Sequence, residues 1–94
     1  MDFAQIIECE VNECAYNVDY QCHTPAITVG GTIDHKCDTF LNSTMKGGFP
    51  ETHGMVGACK ADSCCYNKSF ECSAPGIKVG HHGNDIDCLT YVSD

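Results

Sequence analysis

Apolar and polar residues alternate most clearly in two short runs, Ile27-Thr28-Val29 and Ile77-Lys78-Val79. That is the period of a half-buried strand. Pro25 and Pro75 precede the runs, where a missing N–H costs little, and Gly30 and Gly80 end them. Residues 6–11 predict a further short strand. Residues 12–16 and 62–66 each predict a helical turn, with Asn17 and Asn67 suited to a left-handed position just after it. Residues 41–56 hold Gly47, Gly48, Pro50 and Gly54 and lack any period, which predicts a mobile tether with Phe49 and Met55 as the residues able to dock.

The two alternating runs belong to an internal repeat. Cys9, Cys14 and Cys22 recur 50 positions later as Cys59, Cys64 and Cys72, and residues 9–30 agree with 59–80 at nine of twenty-two positions. Tyr16/Tyr66, Asn17/Asn67, Pro25/Pro75, Ile27/Ile77, Val29/Val79 and Gly30/Gly80 are the other identities. One residue inserted near His81-His82-Gly83 then sets Cys37-Asp38-Thr39-Phe40 over Cys88-Leu89-Thr90-Tyr91. The spacings are C-x4-C-x7-C-x14-C and C-x4-C-x7-C-x15-C. We divide the chain into a first module (1–42), a linker (43–56) and a second module (57–94). The repeat predicts that each module folds alone, with some packing of Ile27 and Val29 on Ile77 and Val79 as a pseudo-two-fold pair.

Composition changes the picture in one respect. Modules of about 40 residues rarely bury enough apolar surface to fold without disulfides or metal, and nine of the 94 residues are cysteines. The repeat sorts them. Cys9, Cys14, Cys22, Cys37, Cys59, Cys64, Cys72 and Cys88 are matched between copies, whereas Cys65 falls opposite Ala15. No histidine is matched: His23 meets Ser73, His35 meets Ile86, His53 lies in the linker, and His81 and His82 flank the insertion. A site common to both copies is therefore four cysteines without histidine.

Zinc suits such a set, because it accepts a tetrahedral thiolate cage and its binding energy becomes folding energy. The expected cofactor is zinc, two ions per chain; tetrahedral thiolate also accommodates iron. Two disulfides per module, with three possible connectivities each, are the alternative. Cys65 reads as a small apolar residue rather than a redox thiol or spare ligand. Tyr16 and Tyr66 read as core rather than acids, and Asp34 and Asp85 as turn residues rather than calcium ligands. The sequons at Asn42 and Asn67 read as chance.

The formal charge of −8, with no arginine and five scattered lysines, excludes nucleic acid as the main partner. Eight thiolates with two divalent ions would take it to about −12. No basic and apolar leader begins the sequence, and no apolar run approaches a membrane span of roughly 18 residues. The expectation is a cytoplasmic chain, where thiols stay reduced and metal sites outnumber disulfides. The predicted fold class is a small metal-stabilised, β-rich protein with short helical turns, built as two tandem cysteine-rich modules.

The motif Ile-Glu-Cys-x4-Cys-x-Tyr-Asn-x4-Cys-x-x-Pro-x-Ile-x-Val-Gly, closed by Cys-x-Thr-Phe, resembles the bacterial domain-of-unknown-function family 1540. The resemblance covers both modules and implies a four-cysteine domain, often duplicated, with a metal-binding role for the eight matched cysteines. It supplies no biochemical activity. The expected function is non-enzymatic: two structural four-cysteine zinc sites supporting a module that meets a protein partner or itself. A metal buffer is the alternative, disfavoured by the repeated Ile27/Ile77 and Val29/Val79, since a store needs little core. A thiol-redox role for Cys64 and Cys65 ranks last, because no C-x-x-C is present and adjacent cysteines form a strained bridge.

Overall fold

The computed structural model describes residues 3–30, 35–83 and 85–93. Asp34, the partner of Asp85 in the repeat, lies outside the described residues. Among the described residues nine strands follow in order: β1 (Gln5–Cys9), β2 (Asn17–Val18), β3 (Gln21–Cys22), β4 (Ala26–Val29), β5 (Met55–Cys59), β6 (Asn67–Lys68), β7 (Glu71–Cys72), β8 (Gly76–His82) and β9 (Asp85–Cys88). No helix among the described residues is long and apolar enough to cross a membrane.

The alternating runs form the expected strands, except that β8 does not end at Gly80 but continues to His82 against β9, and the copies do not build separate sheets. One five-stranded sheet has the order β4-β5-β1-β8-β9, so strands from the two copies interleave. β1 runs parallel to β8, pairing Ile6 with Ile77 and Cys9 with Val79. β4 runs parallel to β5, pairing Ile27 with Val56 and Val29 with Cys59. These ladders are images of each other under the shift of 50. Where they meet, Gln5 faces Met55 antiparallel, the Ile6 amide donates to the Gly54 carbonyl at 2.9 Å, and Val56 donates to Ala4 at 2.8 Å. A pseudo-two-fold axis passes through this point, and the first strand of each copy pairs with the strand that follows the proline in the other.

Each first strand carries a bulge, between Ile6 and Glu8 and again at Gly57. Strict alternation would send Ile6 and Cys9 to opposite faces. The extra residue brings both inward, and both are buried, as are Val56 and Cys59. The bulge thereby turns the first cysteine of each set into the core.

The helical turns expected at 12–16 and 62–66 are absent; these segments are successive tight turns. Cys14 donates to Val11 and Asn17 to Cys14, while Ala15 donates to Leu41 at 2.7 Å, across the module instead of one helical turn back. Cys65 likewise donates to Val92. A helix needs those donors for its own ladder, and here the cross-chain carbonyls take them.

Asn17 and Asn67 are not the left-handed residues either. Asp19, Tyr20, Ser69 and Phe70 are, at φ 54° to 64°, as the two-residue loops of hairpins β2-β3 and β6-β7. Two-residue loops favour positive φ at both positions, usually met by Asn-Gly. Here the turns aim the Tyr20 and Phe70 carbonyls at the amides of Cys9 (2.9 Å) and Cys59 (2.8 Å).

The segment between the modules packs back on the first one. Ser43 donates to Glu13, Gly47 to Ala15, Phe49 to His23 and Gly54 to Cys22, and the Lys46 ammonium donates to the carbonyls of Asn12 and Cys14. Gly48 has φ 84°, and a Cβ there would lie 2.5 Å from the His23 oxygen. That close approach, not loose tethering, explains this glycine.

Candidate metal centres

The core cluster of buried residues contains six of the eight matched cysteines, with Cys37 and Cys72 packed against it half-buried. The structure gathers the eight into the two sets that the repeat predicts. Cys9, Cys14, Cys22 and Cys37 line one cavity, with Ile6, Val11, Tyr16, Ile27 and Phe40 around them. Cys59, Cys64, Cys72 and Cys88 line a second, with Val56, Ala61, Tyr66, Ile77 and Tyr91. The tyrosines are wall residues, as expected of core rings. All nine cysteines are free thiols. Among the described residues, no three Cys, His, Asp or Glu side chains meet at ligand spacing, so each set surrounds its cavity without closing into a cage.

Each sulfur's surroundings follow from local chain geometry. The amide two residues past the cysteine donates to the sulfur at Cys9 (from Val11), Cys22 (Thr24), Cys37 (Thr39), Cys72 (Ala74) and Cys88 (Thr90). Such N–H groups favour the thiolate, yet burial outweighs them. Burial pushes the Cys37 thiol up to about 12, with the neighbouring Cys22, Cys14 and Cys9 charges adding to it. Burial likewise raises Cys22 and Cys88 to about 11, and Cys9 and Cys72 above the usual thiol value. Near neutral pH these thiols hold their protons unless a cation replaces them. Cys37 is thus half-exposed as a residue while its sulfur lies deep.

Asn17 was legible as a repeated residue, but its role was not. It is 3% exposed, its Nδ2 donates to the Cys9 carbonyl at 2.6 Å, and its side chain also reaches the Cys9 sulfur. Asn67 makes the matching bond to the Cys59 carbonyl at 2.9 Å, half-buried. Thr39 and Thr90, one place before the closing ring of each copy, accept from the Thr28 and Lys78 amides and tie the closing segment to β4 or β8.

Both cavities are walled by the other copy. Val79 and Ile86 line the first, and Val29 and His35 line the second. His35 is the histidine that sequence alignment set opposite Ile86. Its ring stacks on Tyr91 with centroids 4.1 Å apart, and its Nδ1 lies 2.9 Å from the Cys88 carbonyl. Asp87, 2% exposed, sits beside it, with Oδ2 3.3 Å from His82 Nδ1 and 4.0 Å from His35 Nδ1. Cys65 is exposed, whereas Ala15 is buried beneath Leu41 and Gly47, so the extra thiol belongs to neither cavity.

The donor chemistry fits a thiophilic ion. Four sulfurs line each apolar cavity with amides turned toward them, the donor set a thiolate site would draw on, although they do not stand at ligand spacing here. No curated protein and no solved structure is significantly similar to the chain. The family described as Domain of Unknown Function (DUF1540) matches residues 7–40 and 58–91, each match spanning one complete cysteine set. Those two matches cover the greater part of the sequence, and the chain belongs to the DUF1540 family as a tandem pair.

Proposed function

We propose that the chain is a non-enzymatic zinc protein with two structural four-thiolate sites, Cys9/Cys14/Cys22/Cys37 and Cys59/Cys64/Cys72/Cys88. The observation that carries this reading is that each set of repeat-matched cysteines lines a single cavity, with backbone amides directed at its sulfurs. Zinc held by four thiolates supplies folding energy, roughly 10–16 kcal/mol per site at neutral pH. Four sulfur ligands leave no open position for substrate or water, which separates a structural from a catalytic zinc site.

The chain's own residues do the rest. The bulges turn Cys9 and Cys59 inward, the hairpin turns fix their amides, and Asn17 and Asn67 hold their carbonyls. What such a frame presents is surface, including Phe3, Ile7, Tyr20, Phe49, Phe70 and Leu89, all exposed. A protein partner, or a second copy, is the partner class that an acidic chain with this surface fits. Reduced thiols at this density suit the cytoplasm. The test is elemental analysis of protein purified under reductant, with X-ray absorption at the metal edge. Two zinc per chain with sulfur at roughly 2.3 Å is the expected result. A metal-free chain with sulfur pairs at roughly 2.05 Å would refute it.

A further inference from the structure

The two sites share their supports to a degree that makes independent loading hard to arrange. β1, which delivers Cys9, lies between β5 and β8, both from the second copy. β5, which delivers Cys59, lies between β4 and β1, both from the first. The last cysteine of each set is pinned by the other copy: Cys37 donates to the Ile86 carbonyl at 2.8 Å and Cys88 to the His35 carbonyl at 2.9 Å. The residue after each first cysteine is pinned likewise, Glu10 to Val79 at 2.9 Å and Lys60 to Val29 at 2.7 Å. Val79 and Ile86 wall the first cavity, and Val29 and His35 the second.

Ordering either cavity therefore requires the central sheet and the wall strand of the opposite copy. We infer that metal binding at the two four-cysteine sites is positively coupled, so that filling one prepares the other. This rests on the zinc reading above and adds regulation to it. The physical source is ordering entropy. The first ion must offset the cost of assembling the shared sheet, and the second meets a sheet already assembled. Couplings of this kind typically amount to 5–150-fold in affinity.

The experiment adds zinc salt to the reduced, metal-free full chain and counts species by native mass spectrometry at one equivalent. Independent equal sites give about half of the chains with one ion. A coupling of tenfold leaves about a quarter, and stronger coupling less. Half or more singly loaded chains overturns the inference. In a second arm, Cys64→Ser removes a ligand from the second site, and a competing chelator reads the affinity of the first. Coupling predicts a loss of roughly tenfold or more at the untouched first site, and an unchanged affinity overturns it. A reduced chain that takes up no zinc at all overturns the zinc reading, and the coupling with it.

Discussion

Replacing Asn17 tests whether the first cysteine is held by its carbonyl as well as by its sulfur. The side chain is 3% exposed and donates at 2.6 Å to the Cys9 carbonyl, while also reaching the Cys9 sulfur. Asn17→Ala leaves that carbonyl without this donor in the interior, at a cost of about 1–3 kcal/mol, and removes a donor from the thiolate. Asn67 makes the same carbonyl bond at 2.9 Å but is half-buried, so water can replace part of what Asn67→Ala removes. The expected order is Asn17→Ala more destabilising than Asn67→Ala. Asn17→Asp sharpens the test: it keeps the shape but replaces a donor by an anion facing a carbonyl and a sulfur, and should cost more than alanine. The assay is urea unfolding of the metal-loaded, reduced chain. With a slope of about 1–2 kcal/mol/M for a chain of this size, the midpoint for Asn17→Ala should fall by on the order of 1 M. An Asn17→Ala midpoint within about 0.2 M of the parent would refute the reasoning, and so would an Asp variant more stable than the alanine one.

Three further outcomes follow from the same structure. Val79→Ala, in the second copy, should weaken zinc binding at the first site more than at the second, by up to roughly 30-fold if the whole truncation cost of about 2 kcal/mol falls there; Val29→Ala should do the reverse, with single-site competition as the readout. Tyr20→Gly and Phe70→Gly, at φ 64°, should each raise stability by up to about 1 kcal/mol in thermal unfolding, because glycine meets no Cβ penalty there. Burial raises the Cys22, Cys37 and Cys88 thiols, so filling the sites must displace their protons; zinc affinity of the reduced chain should therefore rise with pH across the neutral range, and zinc competition at several pH values checks this.

The two alternating strands, the short strand within residues 6–11 and the two cysteine sets were legible because each rests on short-range chemistry. Alternation places Ile27, Val29, Ile77 and Val79 inward, the prolines precede the runs and Gly30 ends the first, whereas β8 continues through Gly80 because β9 pairs with it as far as His82; the repeat separates eight cysteines from Cys65. The helical turns were misread because residues 12–16 have helix-compatible spacing, and nothing local shows that Leu41 will take the Ala15 amide. Asn17 looked like a left-handed residue by type. The left-handed places instead went to Asp19-Tyr20 and Ser69-Phe70, where the required carbonyl direction outweighed residue preference. The tether was misjudged for a related reason: glycines read as freedom, whereas Gly48 is needed for contact with His23.

Strand exchange was the least legible feature, and the cause is general. A repeat states that two segments adopt the same local structure; it does not state whose partner each takes. β1 could satisfy its apolar face against β4 of its own copy or β8 of the other, since Val29 and Val79 are identical and sit at matched positions. Geometry decides. Each module's hairpin, β2-β3 or β6-β7, already bonds back to the first cysteine of that module through the Tyr20 or Phe70 carbonyl. The tether adds a constraint of its own. Residues 43–54 run along the first module and deliver β5 beside β1, where Gly54 and Val56 bond Ile6 and Ala4. With the two first strands side by side at the axis, the flanking places fall to β4 beside β5 and β8 beside β1, and each cavity acquires its wall from the opposite copy. Halves expressed apart, as 1–54 and 55–94, would each leave a first strand without its two neighbours. Mixed at equal concentration under reductant with zinc, they should co-elute as a one-to-one complex in size exclusion. Two halves that each load one zinc and elute as separate monomers would show that the shared sheet is dispensable.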